Sequence, residues 1–258
     1  MRIAIFSDVH SNLPALESLF NSLEKEKPDA AFCLGNLVGY NVWPNAVIDL
    51  IRKKGITTLL GPTDHMIGQK KEGFRRTLKT QTEKKLDKDS NEFTSTIIKK
   101  EQRNYLKDLP LTIRIEFQAK DEVICLLLSH GSNLIATDFY AEASNKEIIQ
   151  HLNKAGVDII CTSHNYEPGR RILESKVSNK THYKHIIFPG STGRSMDGDP
   201  RGCYTIIDIG ETASVKNPDS IKVEFIRFSY DVEKSAKSIE DSPLPDKLAQ
   251  MLRSGSLG

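Results

Sequence analysis

Residues 2–10 have the sequence RIAIFSDVH, an apolar run that ends in an Asp and a His one residue apart. The run predicts a short buried β-strand, followed by an amphipathic helix from Asn12. At the carboxyl end of a strand the alternation stops, so Asp8 and His10 can both turn towards one point above the sheet edge. A carboxylate and an imidazole at one point are typical of a metal site. An Asp and a His at this spacing are by themselves weak evidence for a metal site. Other parts of the chain have to supply the remaining ligands.

The first sixty residues alternate between strand and helix patterns. A helix over 12–27 carries an apolar stripe and precedes a strand at 30–34, and Pro44 opens a second helix that Gly55 closes before a strand at 56–60. A polar or glycine turn follows each strand. This order predicts a largely parallel sheet whose functional site lies at the carboxyl ends of the strands.

The second half is richer in strands. Residues 113–117 and 123–128 predict a hairpin, and 123–128 is almost wholly apolar, as a central strand should be. Further strands are expected at 157–161, 170–174, 184–188, 203–209 and 221–228, with helices at 145–154 and 244–252. The glycine-rich loop from Pro189 to Gly202 can bring backbone amides close to a partner. It lacks the spacing of a known nucleotide-binding loop.

Composition limits the classes of protein. The chain has 258 residues, of which 38% are hydrophobic and 27% charged, and these proportions are typical of a soluble globular protein. No apolar stretch reaches the ~20 residues of a membrane span, so we expect a cytoplasmic protein without a membrane partner. The net charge of +2 is too small to imply a nucleic-acid partner by itself, and we do not expect one. The four cysteines lack CxxC spacing and are expected to be free.

Residues 70–108 form a charged excursion with 12 Lys/Arg and 7 Asp/Glu. One interpretation is a solvated helical segment, with a helix over 95–109. The other is a cap that brings positive charge near a phosphate-bearing substrate. The like charges do not cluster tightly, which favours the solvated segment.

Five predicted strands end in a polar turn, and these turns hold most of the candidate site residues. In chain order they are Asp8, His10, Asn36, Asp64, His65, His130 and His164. Side by side in a parallel sheet, the turns would surround one cleft. Mixed carboxylate, amide and imidazole ligands suit Mn²⁺, Fe²⁺ or Zn²⁺.

The order of these turns resembles the calcineurin-like metallophosphoesterases. The motifs are Asp-x-His at 8–10, Gly-Asn at 35–36 in place of Gly-Asp, the turn at 61–64, His-Gly at 130–131, and Thr-x-His at 162–164 in place of His-x-His. The likeness is strongest to the small bacterial and archaeal branch of YfcE-type phosphodiesterases and diadenosine-tetraphosphatase-like proteins, whose Pro-Gly-Ser loop resembles residues 189–204. It implies one domain over 1–258, with an α/β (α+β) fold: a four-layer αββα sandwich of two mixed β-sheets.

The resemblance also implies site residues. In this family one carboxylate bridges two metal ions, and the bridging position here is Asn36. The implied ligands of the first metal are Asp8, His10, Asn36 and His164. Those of the second are Asn36 and His130, while its other two positions fall on Pro62 and Thr162. A neutral amide bridges two cations poorly, and the second site keeps one good ligand, so we expect one divalent ion and not two.

The catalytic residues are less well defined. His130 is a candidate base or phosphate ligand. Thr63 stands where the family has a proton-donating or phosphate-binding His, although the Asp partner of that His is retained as Asp64. His65 follows directly and is either a replacement for that His or a solvent-facing loop residue.

Two functions remain open at this point. The first is a one-metal phosphomonoesterase or phosphodiesterase of reduced activity, acting on a phosphate-bearing small molecule or nucleotide. The second is a catalytically inactive pseudoenzyme that binds a phosphate ligand or a protein partner.

Overall fold

A computed structural model describes residues 1–70, 80–131, 139–163, 166–177 and 180–256. The predicted metal ligand His164 lies outside these residues. Among the described residues, no helix combines the length and the apolar character needed to cross a membrane. The four cysteines are buried and free, as predicted.

The first sheet has five strands in the order β10-β9-β1-β2-β3. In chain order they are β1 (Arg2–Phe6), β2 (Ala30–Cys33), β3 (Thr57–Thr58), β9 (Gly202–Ile209) and β10 (Ile221–Phe228). The first three run parallel, as predicted, while β9 and β10 add an antiparallel half. The predicted third strand at 56–60 is shortened to two residues, because β3 pairs with β2 only at Thr57 and Thr58 before the chain turns away.

The second sheet is also mixed, in the order β4-β5-β6-β8-β7. Its strands are β4 (Thr112–Gln118), β5 (Val123–Ser129), β6 (Ile159–Thr162), β7 (Gly169–Val177) and β8 (Lys180–Phe188). The hairpin of β4 and β5 is confirmed, and the apolar β5 lies inside the sheet, parallel to β6. A second hairpin joins β7 and β8.

The two sheets pack face to face, with helices on both outer sides. The helices are α1 (Leu13–Glu26), α2 (Pro44–Lys53), α3 (Pro62–Gln69), α4 (Gln81–Ile97), α5 (Lys100–Lys107), α6 (Phe139–Glu142), α7 (Asn145–Ala155), α8 (Val232–Glu240) and α9 (Asp246–Ser254). Strand β1 shows the layering, because its successive side chains point to opposite faces. Ile3 and Ile5 pack between the sheets, whereas Ala4 and Phe6 pack under α1 and α2.

A separate cluster lies on the far side of the second sheet, where Ile148 and Leu152 of α7 cover Ile160 and Ile186. The layers are therefore helix, sheet, sheet and helix. This is the predicted αββα sandwich of two mixed sheets.

The charged excursion differs from its prediction. Two helices, α4 and α5, replace the single helix expected over 95–109, because the chain at Ile98 adopts an extended conformation that ends α4. Both helices pack against the protein. A polar stripe of α4 is buried, and the Ser90 hydroxyl accepts the backbone N–H of Tyr40 at 2.6 Å.

Candidate metal and phosphate site

The polar turns of both sheets meet at one cleft. The strand pattern of the sequence predicted these turns side by side in a single parallel sheet. Instead β1, β2 and β3 of the first sheet and β5 and β6 of the second all end there. The first two turns are joined by backbone hydrogen bonds, from Asp8 N to Gly35 O at 3.0 Å and from His10 N to Asn36 O at 2.9 Å.

The backbone of these two turns has an unusual conformation. Asp8, His10, Ser11 and Asn36 all have φ between 49° and 57°, in the left-handed region that residues other than glycine seldom occupy. Such conformations persist where the surrounding structure imposes them, and they concentrate at functional sites. Here they direct the Asp8 and Asn36 side chains into the same cleft.

The side-chain amide of Asn36 lies between Asp8 and His130. Its Nδ2 donates to Asp8 Oδ1 at 2.9 Å and is 3.1 Å from His130 Nε2, while its Oδ1 accepts the backbone N–H of Thr63 at 3.0 Å. A backbone N–H only donates and a carboxylate only accepts, so both contacts require the same amide orientation. Asn36 therefore directs its nitrogen, and not its oxygen, towards Asp8.

The ring of His130 completes this chain of hydrogen bonds. Its Nδ1 is 2.8 Å from the carbonyl oxygen of Leu34, which only accepts, so Nδ1 carries a proton. In a neutral ring Nε2 is then the acceptor for the Asn36 amide. The chain runs from Leu34 O through His130 and Asn36 to Asp8, and the half-buried His130 is its most exposed member. We call it the Asn36 chain.

The carboxylate of Asp8 is buried and ionised. Ser163 donates a short hydrogen bond to Asp8 Oδ2, and Ser7 in turn donates to Ser163. Burial by itself would raise the pKa of Asp8. The hydrogen bond from His10, the attraction of His130 and His10, and the Ser163 hydroxyl together outweigh burial and hold that pKa well below its usual range.

His10 is directed at the same carboxylate. Its Nδ1 lies 3.2 Å from the carbonyl oxygen of Val38 and so carries a proton, which leaves Nε2 facing Asp8 Oδ1 at 3.5 Å. In a neutral ring Nε2 would face the carboxylate with a lone pair, so the lowering of the Asp8 pKa by His10 requires the doubly protonated ring. A second proton on the ring, or a cation beside both atoms, makes the contact attractive.

The turn after β3 holds the second loop in place. The buried Asp64 accepts the backbone N–H groups of Val38 and Gly61, each at 3.2 Å. Burial raises the pKa of Asp64 to about 7, although these backbone hydrogen bonds oppose the shift. Through these contacts Asp64 holds the Asn36–Val38 loop in place. His65 lies half-buried on α3, and its catalytic role remains a prediction.

The turn after β6 contributes two contacts. Thr162 accepts the backbone N–H of Gly131 at 3.0 Å, so this residue connects the turns after β5 and β6. Ser163 binds Asp8 as described. The role of His164 stays a prediction from the sequence, since that residue lies outside the described part of the chain.

The glycine-rich loop donates its amides to the first turn. Thr192 N donates to Ser7 O and Gly193 N to Asp8 O, each at 2.9 Å. A side chain at Gly193 would place its Cβ 1.9 Å from Val9 O, so only glycine fits there. Two of the amides that we expected to face a partner therefore hold the Asp8 turn in place.

The residues present fit one divalent ion better than two. Asp8 and His10 supply an anionic oxygen and an imidazole nitrogen that converge. An ion between Asp8 and His130 would meet the N–H groups of Asn36, and an amide nitrogen has no lone pair to offer a metal. Among the described residues, no group of three or more His, Cys, Asp and Glu side chains is arranged to hold an ion.

Sequence patterns did not identify three polar residues around the cleft. Ser163 hydrogen-bonds Asp8, while Asn41 and Arg194 line a small cavity beside His10. Ser163 directly precedes the predicted ligand His164, so its position was a usable signal. Asn41 and Arg194 reach the cleft through tertiary packing, and no spacing in the chain indicates it.

Comparisons with known proteins agree with this architecture. Residues 1–183 match the family model described as calcineurin-like phosphoesterase. An uncharacterized protein of Methanocaldococcus jannaschii is 28% identical over 259 residues, covering 97% of this chain and 96% of the relative.

Two solved structures share the fold. A metallophosphoesterase from Sphaerobacter thermophilus has a TM-score of 0.71 at 23% identity and covers 99% of this chain and 100% of its own. A hypothetical protein from Pyrococcus horikoshii has a TM-score of 0.73 at 18% identity, with 100% and 99% covered. On the family match over residues 1–183, the chain belongs to the calcineurin-like phosphoesterase family.

Proposed function

We propose that this chain is a divergent metallophosphoesterase that holds at most one divalent ion and hydrolyses phosphomonoesters or phosphodiesters slowly. Members of this family use divalent metals. The observation that carries the proposal is the Asn36 amide, whose nitrogen faces both Asp8 and His130. This nitrogen occupies the position where a second ion would need an oxygen ligand.

The ligands of the single ion would be Asp8, His10 and His164. The first two converge, and the depressed pKa of Asp8 keeps its carboxylate charged at any pH near neutral. A bound ion would supply Lewis acidity and a water of lowered pKa. The protein residues then position the phosphate group and its leaving oxygen.

His130 is the residue best placed to act on a substrate. It is half-buried and the most exposed member of the Asn36 chain, whereas Asp8 and His10 are each 1% exposed. Its Nδ1 proton is held by Leu34 O, so Nε2 is the atom that would accept a proton and, once protonated, donate to a phosphate oxygen. For that contact the Asn36 amide has to release Nε2.

A second candidate function is a non-catalytic one. The hydrogen bonds of Asn36 and His130 run without interruption from the backbone of Thr63 to the backbone of Leu34. A pseudoenzyme that binds a phosphate ligand or a protein partner would keep this arrangement. Metal content and turnover distinguish the two functions.

The experiment combines both measurements on protein purified without chelator. Elemental analysis gives the number of transition-metal ions per chain, and turnover is measured on aryl phosphate monoesters and diesters with added Mn²⁺. The control carries Asp8→Ala and His164→Ala. We expect at most one ion per chain and turnover above the control. Two tightly bound ions would contradict the single-ion site, and turnover equal to the control would favour the pseudoenzyme.

A further inference from the structure

A small cavity lies beside His10. Its polar wall includes His10, Asn41 and Arg194, and α9 supplies Leu248 and Leu252 on the apolar wall. Its volume of about 10 Å³ accommodates roughly one oxygen-sized group. A ligand would therefore place a single terminal atom there.

The guanidinium of Arg194 lies against this cavity without a carboxylate partner among the described residues. Arg194 is only 8% exposed. Its Cζ is 4.0 Å from the ring centroid of Tyr40 and 5.8 Å from that of Tyr166, whose hydroxyl is 3.5 Å from Nη1. Stacking on aromatic rings leaves the N–H groups of a guanidinium available. A buried cation of this kind is stabilised by an anion.

Asn41 provides a second donor in the same wall. It is 1% exposed, and its Oδ1 accepts the backbone N–H of Val42 at 2.7 Å, which fixes the orientation of the amide. Its Nδ2 has no hydrogen-bond acceptor in the part of the chain that the structure describes. Buried amide nitrogens normally have a partner, so this position suits an oxygen acceptor from outside the chain.

We propose that Arg194 and Asn41 bind one oxygen of a phosphate group beside His10. Both residues present N–H donors and no acceptors to the cavity, so the site selects an anion. The apolar side chains of α9 and the one-oxygen volume favour a compact tetrahedral group whose remaining oxygens stay outside the cavity. This inference rests on the proposed function only in taking the ligand to be phosphate-bearing, and it requires neither metal nor turnover.

The loop that carries Arg194 links this subsite to the Asp8 turn. Gly193 N donates to Asp8 O, and the side chain of Asn12 donates to Gly193 O at 2.8 Å. The backbone of Arg194 donates to Ser191 Oγ at 3.1 Å. These contacts fix the backbone at Arg194, and the stacking on Tyr40 holds the guanidinium, before a ligand arrives, which reduces the ordering cost of binding.

Calorimetric titration with inorganic phosphate tests the subsite, in chelator and at constant ionic strength. We expect the wild type to bind one phosphate per chain. Arg194→Gln removes the charge and Asn41→Asp replaces the donor by an anion without changing shape, so each should weaken binding by about tenfold or more. Arg194→Lys should fall between wild type and Arg194→Gln, because an ammonium lacks the fork of donors.

Arg201→Gln is the matched control, because Arg201 is exposed and already paired with Asp199. It removes the same charge and should leave phosphate affinity unchanged. Absence of phosphate binding by the wild type, or equal affinity in the Arg194 and Asn41 variants confirmed as folded by circular dichroism, would overturn the proposal. Tighter binding of malonate than of phosphate would overturn the phosphate assignment. A wild type that binds phosphate but shows no turnover above the control with Asp8→Ala and His164→Ala would contradict only the proposed function.

Discussion

One atom of Asn36 separates this cleft from one that has a bridging carboxylate. An Asp at this position would present an anionic oxygen to Asp8 and His130, where Asn36 presents two N–H groups. With the amide, the repulsion that a second carboxylate would create is absent, and Asp8 accepts an N–H group without need of a cation. The stability of the cleft should therefore depend little on metal in the wild type and strongly in an Asn36→Asp variant.

Asn36→Asp tests this dependence. Two carboxylates would then lie within hydrogen-bonding distance in a buried site, and the hydrogen bond to His130 would be lost. In chelator we expect the free energy of unfolding to fall by about 1–3 kcal/mol. Added Mn²⁺ should restore most of the loss. Urea denaturation with and without Mn²⁺ measures both effects.

Asn91→Asp is the control for that variant. Asn91 on α4 also donates through Nδ2 to a buried carboxylate, that of Asp87, at 3.0 Å. The substitution creates a comparable carboxylate pair, but it adds no ligand to the cleft of Asp8. It should lose stability without recovery in Mn²⁺. Equal recovery in both variants would mean that Mn²⁺ acts non-specifically.

The sequence predicts four of the residues that surround the cleft but not how their side chains are oriented. Asp8, His10, Asn36 and His130 each follow a strand, and the structure brings all four together. The orientation of the Asn36 amide depends on the backbone N–H of Thr63, at the start of α3. That contact joins residues 27 positions apart, and periodicity gives no information about it.

At the scale of elements, the glycine-rich loop and the Asp8 turn form one packed unit. A Cβ at Gly193 would lie 1.9 Å from Val9 O and 2.9 Å from Asn12 Cβ. Because the colliding atoms include backbone, the two segments would have to separate. Gly193→Ala should lower the free energy of unfolding by about 1–3 kcal/mol, as measured by urea denaturation.

Gly210→Ala provides the comparison. No atom lies within 4 Å of the Cβ position at Gly210, so the change should stay within about ±0.5 kcal/mol. If both alanine variants were as stable as the wild type, the close approach of Gly193 to Val9 would not constrain the Asp8 turn.

Elements with strong local signals were predicted well. Helix α1 begins where Asn12 caps it, with Oδ1 accepting from Ala15 N at 3.3 Å. The break between α4 and α5 was missed, because Ile98 packs in the core beneath α2 and this tertiary contact overrides helical spacing. The length of β3 was also missed, since it depends on pairing with β2.

At the scale of the whole molecule, the sequence gives no direct signal for the antiparallel half of the first sheet. Strand β9 pairs with β1 across some 200 residues, from Arg2 to Asp208. Local patterns predict that β9 exists but not which strand it joins, because sheet order is set by long-range packing. Only the family resemblance implied two mixed sheets.

Two buried groups titrate with opposite effects on global stability. Burial raises the pKa of Asp64 to about 7, so the folded state holds a proton that the unfolded state has released above about pH 4. Burial, aided by Arg170, lowers the pKa of His185 to about 3, so there the unfolded state binds the proton below about pH 6.5. Between about pH 4 and pH 6.5 the protonated Asp64 makes the free energy of unfolding fall as pH rises, whereas His185 makes it rise.

Difference curves between pH 4.5 and 6 separate the two groups. Each contributes a slope of about 1.4 kcal/mol per pH unit in the free energy of unfolding. Relative to wild type, Asp64→Asn should gain stability as pH rises, and His185→Asn, whose Oδ1 can replace the Nδ1 acceptor for Arg170, should lose it. Thr181→Ser, on the same strand and without a titratable group, serves as the control and should run parallel to wild type. Because the two slopes cancel, the double variant should also run parallel to wild type, and a sloping double-variant curve would show that another group titrates with them.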